Sequence, residues 1–431
     1  MNTNILEHDK YEKVSQYIKN KCKADDYSLN ITASDSVQTR FAQNAITQHI
    51  AGANIKVDLN VAFGNKTGSA SVNQIDTDSL DHLVESAEAT AKMNEPDPEY
   101  VESAKYSQLH KINNYFTNTA ELSNEDLVKI VGNCVENAKS KNAKVSGMTE
   151  NHLVLNGLWT KNGFEGIDKY THFSHSMTIK KENKETKVEK SVKNIDDFDI
   201  NLEIRKLNSQ LNNLTNPGKF LAKKIPVILR PAAVLHLFSF LLYMFNRRDA
   251  DEGITPFTDK LNKKFFGSKF TLSSLLDEKL LTPKFVGDGI PSENIDWIKN
   301  GIIKNMRVSR SYAKQMDIKP LSQFNLAITG DKNSEAEMMK KVENGIIINR
   351  LWYIRFVDLK KGELTGLTRD GVLYFEDGKI KKAVNNLRWN EVIHDLTRRI
   401  IALGQPEQIS SFAKVPPMLI DDFNFVDTTT F

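Results

Sequence analysis

The residues able to do metal or nucleophilic chemistry are few and scattered. Among nine histidines only His172 and His175 stand close together, in Thr171-His-Phe-Ser-His175. A zinc peptidase needs three protein ligands, an open position for water and a carboxylate to take the water's proton. The segment around this pair reads as a strand, where an offset of three sends side chains to opposite faces, so the two would chelate one ion poorly. A solvated strand or turn is the expectation. Asp249-Ala-Asp-Glu252 could attract a hard cation, but the set of oxygens such an ion requires is not evident in it, and it reads as a solvated loop. His236 sits in the apolar stretch Pro231–Asn246, where a histidine satisfied by a backbone carbonyl is expected. Cys134 reads as a small core residue on a helix face.

Other chemistries lack their cues. The chain has no Gly-x-Ser-x-Gly elbow, no Gly-x-x-x-x-Gly-Lys-Ser/Thr loop and no Gly-x-Gly-x-x-Gly fingerprint, which removes the usual signs of serine hydrolases, nucleotide hydrolases and dinucleotide enzymes. The run Lys180–Lys190 is interspersed with glutamates, as in an exposed hairpin. Lys260, Lys263, Lys264 and Lys269 with Phe265, Phe266 and Phe270 form a basic and aromatic cluster, whose rings read as core or interface in preference to base-stacking platforms.

Composition points the same way. The 431 residues, 40% hydrophobic and 26% charged, suffice for two or three domains. A net charge of +3 gives no basic field toward nucleic acid or an anionic membrane. Two distant cysteines, Cys22 and Cys134, imply a reducing compartment, and with no secretory layout at the N-terminus the expected location is cytoplasmic. The apolar run Ala232–Phe245 is shorter than the ~18–20 residues of a membrane span and reads as a core helix.

The elements that must position these residues follow from periodicity. A helix is expected over Lys10–Ala24, alternating strands over Tyr27–Ala45 and Ile55–Phe63, and a return strand from Ser69. Amphipathic helices follow at Asp78–Lys92, at Ser123–Lys139 and over Phe198–Asn212, the last ending at Asn216-Pro-Gly218. Between them lie strands Val145–Met148, His152–Leu158, Thr171–Ile179 and Val188–Val192. After Ile225–Leu229 and a single buried helix over 231–246, short strands and glycine turns dominate. The reading is α+β: residues 1–220 an N-terminal domain of antiparallel sheet plus helices, residues 221–431 a mostly β domain of antiparallel sheet around the buried helix.

Several segments resemble the TldD/PmbA family of metallopeptidase-like proteins, once described as modulators of DNA gyrase. They are Thr39-Arg-Phe-Ala-Gln-Asn-Ala-Ile-Thr-Gln-His49, then Gly287-Asp-Gly-Ile-Pro291 with Ser309-Arg-Ser-Tyr-Ala-Lys314, and the closing hairpin Gly366-Leu-Thr-Arg-Asp-Gly371 through Ile380. The resemblance implies two α+β domains and, after the closing hairpin, a further helix over Trp389–Leu403. In active members it implies a zinc peptidase for extended peptides, with His-Glu-x-x-x-His on the helix and a cysteine in the closing hairpin. Here the first histidine position falls on Ser239, the glutamate on Phe240 and the second histidine on Met244, and residues 360–380 hold no cysteine. The resemblance therefore points to the PmbA/TldE-like branch, a subunit with no catalytic residues and no metal of its own. Zinc is expected only in a TldD-like partner.

On this reading Phe238, Phe240, Leu241 and Met244 fill the former site, strand edges wall an extended peptide, and Arg369 and Asp370 line it. The partners are a TldD-like paralogue or a second copy, plus peptide, with no nucleic acid and no membrane. Two alternatives stand beside it: a homodimeric peptide-binding scaffold without a peptidase partner, and a metallopeptidase with a diverged site built from His172, His175 or Asp249.

Overall fold

A computed structural model describes residues 6–214 and 217–429. The first sheet has six strands: β1 (Asp26–Ala42), β2 (Ala45–Phe63), β3 (Lys66–Val72), β4 (Lys144–Thr160), β5 (Glu165–Lys181) and β6 (Lys184–Val192). Their order is β3-β2-β1-β4-β5-β6 and every pairing is antiparallel. Alternation sets the faces: Leu29, Ile31 and Ala33 of β1 are buried together with Val57 and Leu59 of β2 and Leu153 and Leu155 of β4. Helices α1 (His8–Lys21) and α2 (Thr77–Met93) cover this patch. Past the short turn α3 (Thr117–Ala120), helices α4 (Asn124–Ser140) and α5 (Ile200–Asn213) bury Val131, Cys134, Leu207 and Leu211 against Phe41, Met177 and Val188.

The caps explain the helix boundaries. Asp76 accepts from the Ser79 backbone N–H, and Ser123 and Asp126 form a reciprocal capping box at α4. Expected as two strands, Lys144–Thr160 is one continuous strand. The expected helix end at Asn216 lies outside the described residues, as do the first five residues of the N-terminus.

From β7 (Lys224–Leu229) onward the described strands build two large sheets and a two-stranded ribbon of Phe285–Val286 with Ile290–Pro291. In the larger, β7 lies between Asn344–Asp358 and Met418–Thr428, which continues through Leu387–Val392 to Glu363–Glu376; that last strand pairs back with Asn344–Asp358, so the ring closes as a barrel. The second is six-stranded and includes Leu272–Ser274, Leu326–Ile328 and Ala413–Val415. The chain is thus α+β with antiparallel pairing predominant, joined by parallel pairs at β7 with Asn344–Asp358 and at Leu326–Ile328 with Ala413–Val415. Alternate residues of β7 serve two cores, Val227 and Leu229 on one face and Ile228 on the other.

Two expected helices take other forms. Trp389–Leu403 is the strand Leu387–Val392, a six-residue helix Ile393–Arg398 and the strand Ile400–Leu403. Trp389 sits against Gly366, where a Cβ would meet the indole at 2.6 Å, so the ring is held on the sheet and not on a helix face. The stretch 231–246 is also interrupted, at Ser239. Among the described residues no helix is long and apolar enough to cross a membrane.

Candidate functional site

The site is built around the break in that apolar stretch. Arg230 in extended backbone and Pro231 at the first helical position start α6 (Pro231–Phe238). The Ser239 hydroxyl then donates to the His236 carbonyl at 2.9 Å. The Phe240 and Leu242 N–H groups bond three residues back, to Leu237 and Ser239, so the turn tightens before the single turn α7 (Leu241–Met244). The expected continuous helix is therefore two pieces.

Of the two pieces only α6 carries a ligand type, His236, and it stands outside the three motif positions. Leu237, Phe238, Leu241 and Met244 are fully buried in the largest core, and Phe238 stacks on Phe270 at 4.8 Å. Phe240 packs edge-on to Phe356 at 5.5 Å and beside the exposed Tyr243. Ser239 is engaged with its own helix. The residues at these positions do not fit a zinc ion, and among the described residues no group of three or more His, Cys, Asp or Glu is arranged to hold one.

His236 does not bond a backbone carbonyl as expected. Its Nε2 lies 3.2 Å from Oε1 of Glu189 on β6, and its Nδ1 has no partner. Spacing could not reveal this pairing, since the glutamate comes from the other half of the chain. Burial alone would raise the Glu189 carboxyl, but the His236 hydrogen bond and the charges of Lys187 and Arg350 hold it well below the usual carboxylate range. Nearby, Arg230 makes a bidentate pair with Glu335 at 2.8 and 2.9 Å, which outweighs the cost of burying the guanidinium and raises its pKa. These charges line a cavity of about 350 Å³ between β6, α5 and the start of α6.

Arg369 and Asp370 stay in contact, Arg369 Nε lying 3.8 Å from Asp370 Oδ1, but differ in burial. Asp370 is 3% exposed with φ +60°, its carboxylate 2.9 Å from Arg350 Nη1 and its carbonyl accepting from Thr186 and Asn349. Its carboxylate is held by Arg350, and the residue forms part of the wall of the groove that Arg369 also borders. Arg369 is half-buried, its guanidinium 4.2 Å over the Trp352 ring, and it borders a groove of about 690 Å³ between Leu367–Val372 and the β5–β6 turn at Glu182 and Asn183. Trp352 is a residue that sequence reasoning missed; the one available signal was the run of large side chains in Arg350–Val357. Next to it Tyr353 has φ +56°, where the pairing with Glu363–Glu376 breaks register. Strand edges as peptide walls are limited by closure of the barrel, but among the described residues no strand pairs with Asn344–Asp358 on its β7 side beyond Ile348.

The remaining candidates are occupied in other ways. His172 and His175 face opposite sides of β5: His172 Nδ1 lies 2.9 Å from the Ser411 hydroxyl, and His175 Nδ1 2.8 Å from the Thr149 hydroxyl. Cys134 Sγ is 3.7 Å from His175 Nε2, which resembles a thiol–imidazole dyad. Burial pushes the thiol up to about 12 and the imidazole down to about 4, so both stay neutral and inert. In the acidic string Asp251 pairs with Arg247 and Tyr312, and Glu252 with Arg248, which also binds Glu99. Phe266 and Phe270 of the basic cluster are buried core.

The model of the PmbA/TldA metallopeptidase C-terminal domain matches residues 222–427. The fold is similar to that of TldE from Thermococcus kodakarensis (TM-score 0.88, 16% identity, covering 97% of this chain and 100% of that one). It is also similar to a candidate DNA gyrase modulator from Thermotoga maritima (TM-score 0.84, 15% identity, 97% and 99% covered). Another, from Bacteroides thetaiotaomicron, gives a TM-score of 0.85 at 18% identity, with 97% and 99% covered. At these identities the likeness is one of fold. No curated protein sequence matches the chain.

Proposed function

From the premise that this chain belongs to the PmbA/TldD family, we propose that it is a non-catalytic, TldE-like subunit of a zinc peptidase assembly whose metal resides in a TldD-like partner. One observation carries the reading: where the active motif would place His, Glu and His stand Ser239, Phe240 and Met244, and these side chains complete the helix turn and the core. The replacement preserves packing while removing every group that could bind a metal or activate a water. An extended segment is the substrate this surface suits. The unpaired side of Asn349–Asp358 offers backbone groups, and Trp352 with Arg369 offers a flat stacked anchor at the groove. We take residues 1–220 and 221–431 as the two domains of this subunit, with the Glu189–His236 pair bridging them.

The test is reconstitution. The chain alone and a His-Glu-x-x-x-His paralogue from the same genome are purified separately and together, and casein cleavage is followed in each. Cleavage that requires both, with co-elution of the two, supports the subunit; full activity of the paralogue alone with no co-elution opposes it.

A further inference from the structure

Four residues meet in the interior beside β5: Asn114 from the connector ahead of α3, Asp168 on β5, Lys193 directly after β6, and Thr282 from the other half of the chain. Each is at most 2% exposed. Lys193 is the unusual member, because a buried ammonium is ordinarily paired with a carboxylate. Among the described residues it makes no ion pair. Its Nζ lies 3.0 Å from the Asn113 carbonyl oxygen and 3.2 Å from Asn114 Oδ1, with the centroid of the Phe116 ring 5.9 Å away. Burial lowers its pKa against the charges of Glu278, Asp277, Asp168 and Asp197, which favours the neutral amine.

Asn114 is held in one orientation. Its Nδ2 donates to the Thr282 carbonyl at 2.6 Å and its Oδ1 accepts from the Thr282 N–H at 3.2 Å, so the backbone of one residue fixes both ends of the amide. Beside the amide nitrogen stands Asp168, its Oδ1 3.4 Å from Asn114 Nδ2 and its Oδ2 accepting from the Lys284 N–H at 3.1 Å. Burial raises the Asp168 carboxyl over the opposing hydrogen bonds of Lys284 and Asn114, which favours its protonated form. Thr171 anchors both partners by their backbones: its N–H donates to the Asn114 carbonyl at 3.0 Å and its hydroxyl to the Lys193 carbonyl at 2.6 Å.

We propose that Lys193 and Asn114 join in an intramolecular isopeptide bond, with Asp168 as the acid–base group and the Thr282 N–H as the oxyanion donor. A desolvated amine, an amide carbonyl already facing a fixed N–H, and a neutral carboxyl at the leaving nitrogen are the parts such an acyl transfer needs. The Lys193 amine attacks Asn114 Cγ, the carbon bonded to the oxygen it already touches; the Nζ–Cγ bond forms and the carbonyl electron pair moves onto Oδ1, where the Thr282 N–H stabilises the charge. The Asp168 carboxyl protonates Nδ2, the pair on Oδ1 returns as the Cγ–Nδ2 bond breaks, and ammonia leaves. The carboxylate then takes the surplus proton from Nζ, which restores the acid and leaves a neutral secondary amide. The step consumes only the two side chains. A cavity of about 950 Å³ bordered by Asn114 and Asp168 gives ammonia a way out. The bond joins positions 79 residues apart, fastening the connector to the end of β6 and restricting the unfolded chain.

Mass spectrometry of the denatured full-length chain, followed by a peptide map, tests it. The expected mass is lower than the sequence mass by one ammonia, with a branched peptide joining the Asn114 and Lys193 segments. Lys193→Met and Asp168→Asn are expected to keep the full mass and to yield the two segments separately. A native chain at full mass, with the segments recovered as separate peptides, overturns the bond, and this holds even if a variant fails to fold. Loss of ammonia that maps to another residue overturns it equally. An Asp168→Asn chain that keeps the native circular dichroism spectrum and still carries the branched peptide overturns the role given to Asp168.

Discussion

His236 Nε2 and Glu189 Oε1 lie 3.2 Å apart, which places the segment that replaces the metal motif in direct polar contact with the N-terminal sheet. The pair is about a quarter exposed, and the carboxylate is also 2.9 Å from Lys187. Glu189→Gln keeps the shape but weakens charge-assisted bonds, so a loss of about 1–2 kcal/mol is expected. Urea midpoints of the native chain and the variant check this; equal midpoints would show that the contact contributes nothing.

At the vacated positions packing should govern, not coordination. Met244→Ala removes a fully buried side chain and should cost about 2–5 kcal/mol. Ser239→Ala loses one hydrogen bond within its own helix, worth about 0.5–1.5 kcal/mol. Neither value should change with EDTA. A native midpoint that falls on chelation would indicate a bound metal contributing to stability.

Buried histidines set the acid response. His172, His175 and His394 are each held down to about 4, in every case chiefly by burial, against about 6.5 when unfolded. Below that unfolded value the unfolded chain binds more protons, so stability is full above it and falls as pH drops toward about 4. By pH 5 the loss reaches about 2 kcal/mol for the deeply buried His175 and less for the others. Asp168 and Glu391, whose carboxyls burial raises, oppose part of this on protonation. Thermal midpoints at pH 7.5 and 5 should fall, and His175→Asn should flatten the slope; a slope unchanged by that substitution would remove His175 from the account.

Arg369 and Asp370, adjacent in sequence, should behave as opposites. Arg369→Ala should weaken binding of a fluorescent unstructured peptide several-fold with little change in midpoint, because the side chain borders the groove. Asp370→Ala leaves Arg350 without its buried partner and should destabilise by about 3 kcal/mol. Equal peptide affinity for native chain and Arg369→Ala would exclude this groove.

How much of this was legible in the sequence depends on the reach of each interaction. The strands of the first sheet show in alternation such as Leu29, Ile31 and Ala33, because each face is decided within two residues. The caps at Asp76 and Ser123 are equally local. The break at Ser239 was hidden because Phe238, Phe240 and Leu241 satisfy helical periodicity, while a hydroxyl bonding three residues back decides the geometry. The helix that the resemblance implied over Trp389–Leu403 gives way to pairing of Leu387–Val392 with two long strands. Glu189 and Trp352 were invisible as site residues, since what makes them notable is a partner 47 positions away in one case and an arginine on a neighbouring strand in the other.

The central claim is that this chain carries no catalytic metal of its own. Zinc content of the purified chain by plasma mass spectrometry, with casein hydrolysis assayed in parallel, tests it most directly. The account predicts near-zero zinc and no cleavage by the chain alone. Stoichiometric zinc, lost with chelator together with a cleavage activity, would contradict it.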